Sequence, residues 1–131
     1  MWMIEQSVAE FGRSLGMTDL RLKDEGALAL GIERIGVLAI EVIGDRQEEV
    51  ALSLTRSIER PDGPACQRAL ELCHYRNPSK WPVHAALAAG GSALIFAIQM
   101  EAPDFILPNI HEGIEVLTRL HEAMEPYVRA R

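Results

Sequence analysis

The sequence predicts an α+β fold in which a twisted antiparallel sheet is built in the order α-β-β-β-α-β-β-α. Apolar residues alternate along five short stretches, as they do in strands that bury one face. Short polar connections containing Gly separate neighbouring stretches, which is typical of hairpins. Apolar residues recur three and four positions apart in three further stretches, as in amphipathic helices. At 131 residues the chain is expected to form a single domain, 1–131.

The first predicted helix lies at the start of the chain. Its apolar positions follow helical spacing and are Ile4, Val8, Phe11 and Leu15. Gly16 follows directly, and a glycine at this position often ends a helix. The acidic stretch 24–26 then predicts a turn before the first strand.

Three strands are predicted at 27–32, 37–43 and 50–55, and the first two separate their side chains by size. The bulky side chains are Leu28, Leu30, Ile32, Leu38, Ile40 and Val42, and the small ones include Ala27, Ala29, Gly31 and Ala39. The bulky side is predicted to pack under the first and last helices. Small side chains let another backbone approach a sheet closely. The small side, with the sheet edge, is therefore expected either to receive a strand of another protein or a second copy of this chain, or to be covered by the last helix, and the sequence leaves these alternatives open.

The middle helix is predicted to begin at Pro64, with Asp62 or Gly63 as its cap, and to run to about residue 76. Asn77-Pro78 then ends it. Cys66 and Cys73 are seven positions apart, about 10 Å along the axis, and are therefore predicted to stay unbonded. Both are expected to be structural.

A second hairpin and a final helix complete the predicted fold. The apolar stretch 81–98 has the length of a membrane span, but Gly90-Gly91 divides it into two alternating runs, so a hairpin is predicted. In the last helix the apolar spacing includes His121, which we expect to be a core-edge residue with one hydrogen bond. Pro126 is expected to kink or fray the last turn.

The composition excludes some classes of function. Lys and Arg number 13 against 19 Asp and Glu, a net charge of −6, so nucleic acid is not an expected partner. The start of the chain lacks the charged and apolar regions of a signal peptide, and membrane insertion is not expected. Two free cysteines suit a reducing compartment. Together these observations favour a cytoplasmic protein.

No recognisable catalytic or metal motif is present. His111 and Glu115 lie in a stretch that resembles a helical zinc site, but the second histidine of that motif is missing. Cys73 and His74 are adjacent and would point about 100° apart on a helix, which makes a poor nucleophile–base pair. We therefore predict no enzyme and no metal site.

Four stretches, together with the element order and the acidity, resemble a known family. They are "FGRSLGM", "LRLKDEGALAL", "CQRALELCHYRNP" and "IHEGIEVLTRLHEAMEPYVRAR". The chain resembles a class I chaperone of bacterial type III secretion, the family typified by the Tir chaperone. It departs from the family where Gly31 interrupts the first strand, and where His84 and several alanines give the fourth strand a small-residue surface.

The resemblance implies a cytoplasmic homodimer that uses neither a cofactor nor ATP. It would bind the extended N-terminal segment of a secreted effector and keep that effector soluble and secretion-competent, with the secretion ATPase as a further candidate partner. The residues predicted to bind the client are Ile4, Val8, Phe11, Ala27, Ala29, Gly31 and Ala39. The residues predicted to form the dimer interface are Cys66, Leu70, Cys73 and Trp81.

Two other classes remain compatible with the sequence. One is a small-ligand-binding or regulatory α+β domain without catalysis, which would need polar groups that converge in a pocket. The other is a subunit that works only inside a larger complex.

Overall fold

The computed structural model describes residues 2–59, 62–74 and 79–128 and confirms the predicted fold class and element order. The elements are α1 (Trp2–Ser14), β1 (Ala27–Ile32), β2 (Gly36–Ile43), β3 (Glu49–Ser57), α2 (Gly63–Leu72), β4 (Val83–Ala88), β5 (Ala93–Glu101) and α3 (Leu107–Val128). Two single 3₁₀ turns follow β4 and β5, at Ala89–Gly91 and Ala102–Asp104.

The five strands form one antiparallel sheet in the order β1-β2-β3-β5-β4. The register places bulky residues opposite bulky ones, so that Ile40 lies between Leu28 and Leu52, and Ile98 follows on β5. Residues in register project from the same face of a sheet. One face is therefore continuously apolar, and we call it the bulky face.

Helix α3 lies against the bulky face at the central strands β3 and β5. The contact is close at Gly113, where an added Cβ would lie 2.7 Å from Ile98 Cδ1 and 2.8 Å from Leu52 Cδ2. Helix α1 packs against α3, and the Phe11 ring lies 5.9 Å from the ring of His111. The prediction that the first and last helices cover the bulky face is thus confirmed.

The opposite side of the sheet, which we call the small face, is open at β1 and β2. Ala29 and Gly31 are exposed, Val37 is 47% exposed, and a Cβ built on Gly31 would have no atom within 4 Å. The alternative in which the last helix covers the small face is wrong, because Gly113 of α3 contacts the bulky face.

Several local predictions can be compared with the structure. Strand β1 has the predicted bounds and continues through Gly31, and the second hairpin turns at Gly90-Gly91, both with positive φ. Leu15 follows the end of α1 and is 44% exposed, so it does not share the burial of the other three apolar positions. Helix α3 continues through Pro126 to Val128.

The predicted end of the middle helix can be checked only in part. Helix α2 ends at Leu72, earlier than predicted, and Cys73 is its C-cap. The Asn77-Pro78 stop lies outside the described residues.

Candidate docking surfaces

An open apolar groove lies between α2, the edge strand β4 and the last turns of α3. Its volume is about 250 Å³. The larger side chains that line it are Ile58, Leu70, Leu87, Leu94, Met124 and Val128. Two of these side chains are exposed to solvent, Leu70 by 69% and Leu87 by 46%. Exposed leucines beside an apolar groove are typical of a docking surface.

The groove exists because α2 turns its smallest residues towards the core. Ala65 and Ala69 are buried, and they are too short to fill the space above β4. Asp62 fixes the start of the helix, because its Oδ1 accepts a hydrogen bond from the Ala65 N–H at 2.9 Å. Leu70, next to Ala69 in the sequence, consequently projects at the rim of the groove.

The four residues predicted to form a dimer interface lie in three different environments. Cys66 and Leu70 are both exposed and both line the groove. Cys73 is half-buried, and burial raises the pKa of its thiol. Trp81 belongs to the core and is 6% exposed, with Lys80 Nζ 5.1 Å from its ring centroid. The structure therefore brings Cys66 and Leu70 together at one surface, whereas Trp81 offers almost none of its own area.

The predicted client residues are divided between the interior and the small face. Ala29 and Ala39 are directly opposite each other in the β1–β2 ladder, and Ala27 and Gly31 lie on the same face. In contrast, the buried set from α1 consists of Ile4, Val8 and Phe11. These three side chains belong to the same buried cluster as the bulky-face residues Leu28, Leu38 and Ile40, and they offer no surface to a partner.

The sequence analysis did not select several exposed or half-buried apolar residues. Leu87 and Ile58 line the groove, and Trp2 and Met3 of α1 are 73% and 57% exposed. Leu87 was detectable only as a bulky residue in the alanine-rich fourth strand. Periodicity cannot identify Trp2 and Met3 as exposed. It shows which residues share a helix face, but it does not show which part of the helix extends beyond the core.

His121 is a buried polar residue at the junction of α3 and β3. It is 3% exposed, its Nε2 lies 2.7 Å from the Leu54 carbonyl oxygen, and its ring packs edge-on against Phe96 at 5.0 Å. Since a carbonyl can only accept, Nε2 carries the proton and donates. The predicted core-edge role with one hydrogen bond is confirmed. Burial lowers the pKa of His121, the bond to Leu54 partly opposes that effect, and the nearby Arg56 lowers the pKa further.

The described residues provide little for chemistry on a small substrate. Among them, no group of three or more His, Cys, Asp or Glu side chains is placed to hold a metal ion. The apolar groove contains no charged side chain, and a small-ligand site normally adds a few convergent polar groups to an apolar pocket. Within the described part of the chain, no helix is long and apolar enough to cross a membrane.

The family model of the type III secretory system chaperone SycN matches residues 2–125, which is nearly the whole chain. The chain belongs to this family of type III secretion chaperones. The family predicted from the resemblance is therefore confirmed, and the model that matches is that of SycN. A search of curated protein sequences gives no significant match.

Solved structures of the same fold support the assignment. The chaperone SycH of Yersinia pestis, in complex with a fragment of YscM2, is 18% identical with a TM-score of 0.69 and covers 95% of this chain and 98% of its own. A chain of the ExsC–ExsE complex is 16% identical with a TM-score of 0.77, and the match covers 98% of this chain and 96% of that chain. A chain of the HopA1–SchA chaperone–effector complex is 16% identical with a TM-score of 0.69, and the match covers 95% of this chain and 92% of that chain. At these identities the likeness concerns the fold.

Proposed function

We propose that this chaperone acts in the cytoplasm as a homodimer, binds the N-terminal region of a type III effector and keeps it soluble and secretion-competent. The observation that carries the proposal is the match of the secretion-chaperone family model to residues 2–125. The three structural neighbours described above support it, since each of these was solved in a complex and one is described as a chaperone–effector complex. The proposed action is binding alone, without catalysis, a cofactor or ATP hydrolysis.

The groove between α2 and β4 is the proposed dimer surface. The same surface offers a cavity and a projecting Leu70, so two copies related by a twofold axis can each insert a leucine into the other. A stable interface buries roughly 800 Å² on each partner. We therefore expect the outer side of α2 and the free edge of β4 to contribute beside the groove.

The small face at β1 and β2 is the proposed client surface. Strand β1 is an edge of the sheet, with β2 on one side, and an edge can accept an extended segment through main-chain hydrogen bonds. Ala29 and Gly31 leave room for a close-lying backbone. An apolar, extended client segment fits this surface.

Co-expression with the protein encoded next to this chain's gene tests the proposal. We expect the two proteins to purify together and the partner to be less soluble when it is expressed alone. The N-terminal region of the partner should be sufficient for co-purification, and a partner without that region should not bind. If the full partner is equally soluble alone and never co-purifies, that protein is not the client. The remaining type III effectors of the same genome are then tested in the same way. Failure of all of them contradicts the proposal.

A further inference from the structure

His121 lies in a cleft that adjoins the proposed dimer groove. The cleft is lined by His121 together with Arg56, Glu59 and Glu125, and it shares Ile58, Met124 and Val128 with the groove. One wall of the groove therefore consists of the turns of α3 that follow His121. The secretion-chaperone function proposed above does not use this histidine.

We propose that His121 is a pH-sensitive latch, in which protonation loosens the last turns of α3 from β3 and so weakens the docking of a second copy in the groove. This inference rests on the proposed homodimer. It adds a regulation of the dimer surface that the family assignment does not contain.

The surroundings of His121 suit the neutral ring and disfavour the cation. Strand β3 contributes Arg56, whose Nε donates to the Ile35 carbonyl at 2.6 Å and whose guanidinium lies 3.9 Å from the Glu125 carboxylate on α3. Glu125 is thus already engaged by a cation, and Glu59, beyond the end of β3, is exposed to water. Strand β5 contributes the uncharged ring of Phe96. A proton on His121 would add a second positive charge beside Arg56 in a buried site.

The direction of the pH effect follows from the lowered pKa of His121. When the folded-state pKa lies below that of the unfolded or opened state, the opened state binds more protons, so acidification favours opening. The stabilising contribution is complete above the ordinary histidine pKa of about 6.5 and is lost as the pH falls through the lowered folded value. The latch is therefore closed at neutral pH and weakened in acid.

The path from His121 to the groove is at most about two helical turns long. Met124 and Val128 lie about one and two turns beyond His121 on the same helix, and both line the groove. The Val128 carbonyl accepts a hydrogen bond from the Glu59 N–H at 3.4 Å, which ties the end of α3 to the segment after β3. A shift of these turns changes the groove wall directly.

The test compares the dimer dissociation constant of the wild type, His121→Gln and His111→Gln by sedimentation equilibrium at about pH 7.5 and about pH 5.5, the interval in which an ordinary histidine gains its proton. The amide side chain in His121→Gln retains an N–H donor for Leu54 but does not titrate. His111 is an exposed histidine on the same helix and provides the matched control. We expect acid to raise the wild-type dissociation constant about tenfold, which corresponds to about 1.4 kcal/mol. The His111→Gln variant should follow the wild type, and the His121→Gln constant should change far less.

Equal pH dependence in the wild type and His121→Gln would overturn the latch. If the wild type is a monomer at neutral pH, the proposed homodimer is wrong. Hydrogen-exchange protection factors of residues 121–128 then decide whether protonation of His121 loosens the end of α3. Protection lost in acid in the wild type and kept in His121→Gln supports the latch, and unchanged protection overturns it. If His121→Gln does not fold, the wild-type histidine titrations decide by NMR. Amide resonances of Met124 and Val128 that shift with the His121 midpoint support the latch, and resonances that do not follow the His121 titration overturn it.

Discussion

Gly113 shows how one residue sets the distance between a helix and a sheet. It is buried in α3, and a methyl group there would meet Ile98 and Leu52 at 2.7 and 2.8 Å. The alternation of bulky strand residues could be read from the sequence. The need for a glycine at this helix position could not, because it depends on which strand residues α3 crosses.

Replacing Gly113 by Ala is predicted to destabilise the protein. Alanine favours a helix by up to about 1 kcal/mol over glycine, but overpacking a filled core costs about 1–3 kcal/mol. We expect a net loss of about 1 kcal/mol, measured as a lower urea midpoint at an unchanged slope. The matched control is Gly31→Ala, because a Cβ there meets no atom within 4 Å. A Gly113→Ala midpoint at or above the wild-type value would contradict the close contact.

At the scale of elements, the strands were more predictable than the helices. Period-two alternation is local, so β1 and the turn at Gly90-Gly91 follow from the sequence alone. The burial of Ile4, Val8 and Phe11 follows from the same kind of periodicity. Their availability to a client does not, since it depends on the face of the sheet against which α1 packs.

Helix α2 is short, and its N-cap is predicted to matter for the groove that it borders. Removing the Asp62 acceptor with Asp62→Ala should cost about 0.5–2 kcal/mol. We expect a lower thermal midpoint and, since α2 forms one groove wall, weaker dimerisation. Asp62→Asn keeps an oxygen that can accept from the Ala65 N–H and should stay close to the wild type. A stability of Asp62→Ala equal to that of Asp62→Asn would show that the cap contributes little.

At the scale of the whole molecule, the proposed dimer is predicted to depend on Leu70. The Leu70→Asp variant should fold as a monomer, because the position is 69% exposed in a single chain. In the dimer it would bury an unpaired charge at a cost of about 3 kcal/mol, which is about a hundredfold in the dissociation constant. Light scattering after gel filtration measures the mass. Leu15→Asp changes another exposed leucine away from the groove and should leave the dimer intact, whereas dimers of equal strength in both variants would place the interface elsewhere.

The client surface is predicted to be sensitive to side-chain size at Ala29. In a folded, dimeric Ala29→Arg variant the long side chain should block a close-lying client backbone, and affinity should fall at least about tenfold, which is about 1.4 kcal/mol. Ala29→Ser keeps a small side chain and should bind like the wild type. Isothermal titration with the client's N-terminal segment gives both affinities. Unchanged affinity in Ala29→Arg would move the client away from the small face.

The sequence predicted the overall architecture better than it predicted the surfaces. Element order, acidity and several diffuse stretches indicated the secretion-chaperone family, which the match to residues 2–125 confirms. The groove could not be predicted from the sequence, because it combines Leu70, Leu87 and Val128 from three separate elements. Only the packing of α2 and α3 beside the edge strand brings them together.

The mass of the co-purified complex tests the central claim most directly. Light scattering should give the mass of two copies of this chain with a bound effector segment. The complex should persist in high salt, because apolar burial and main-chain hydrogen bonds would hold the client. Exposed ion pairs contribute only about 0–1 kcal/mol each. A mass of one copy per complex, or effector that dissociates entirely as salt is raised, would contradict the account.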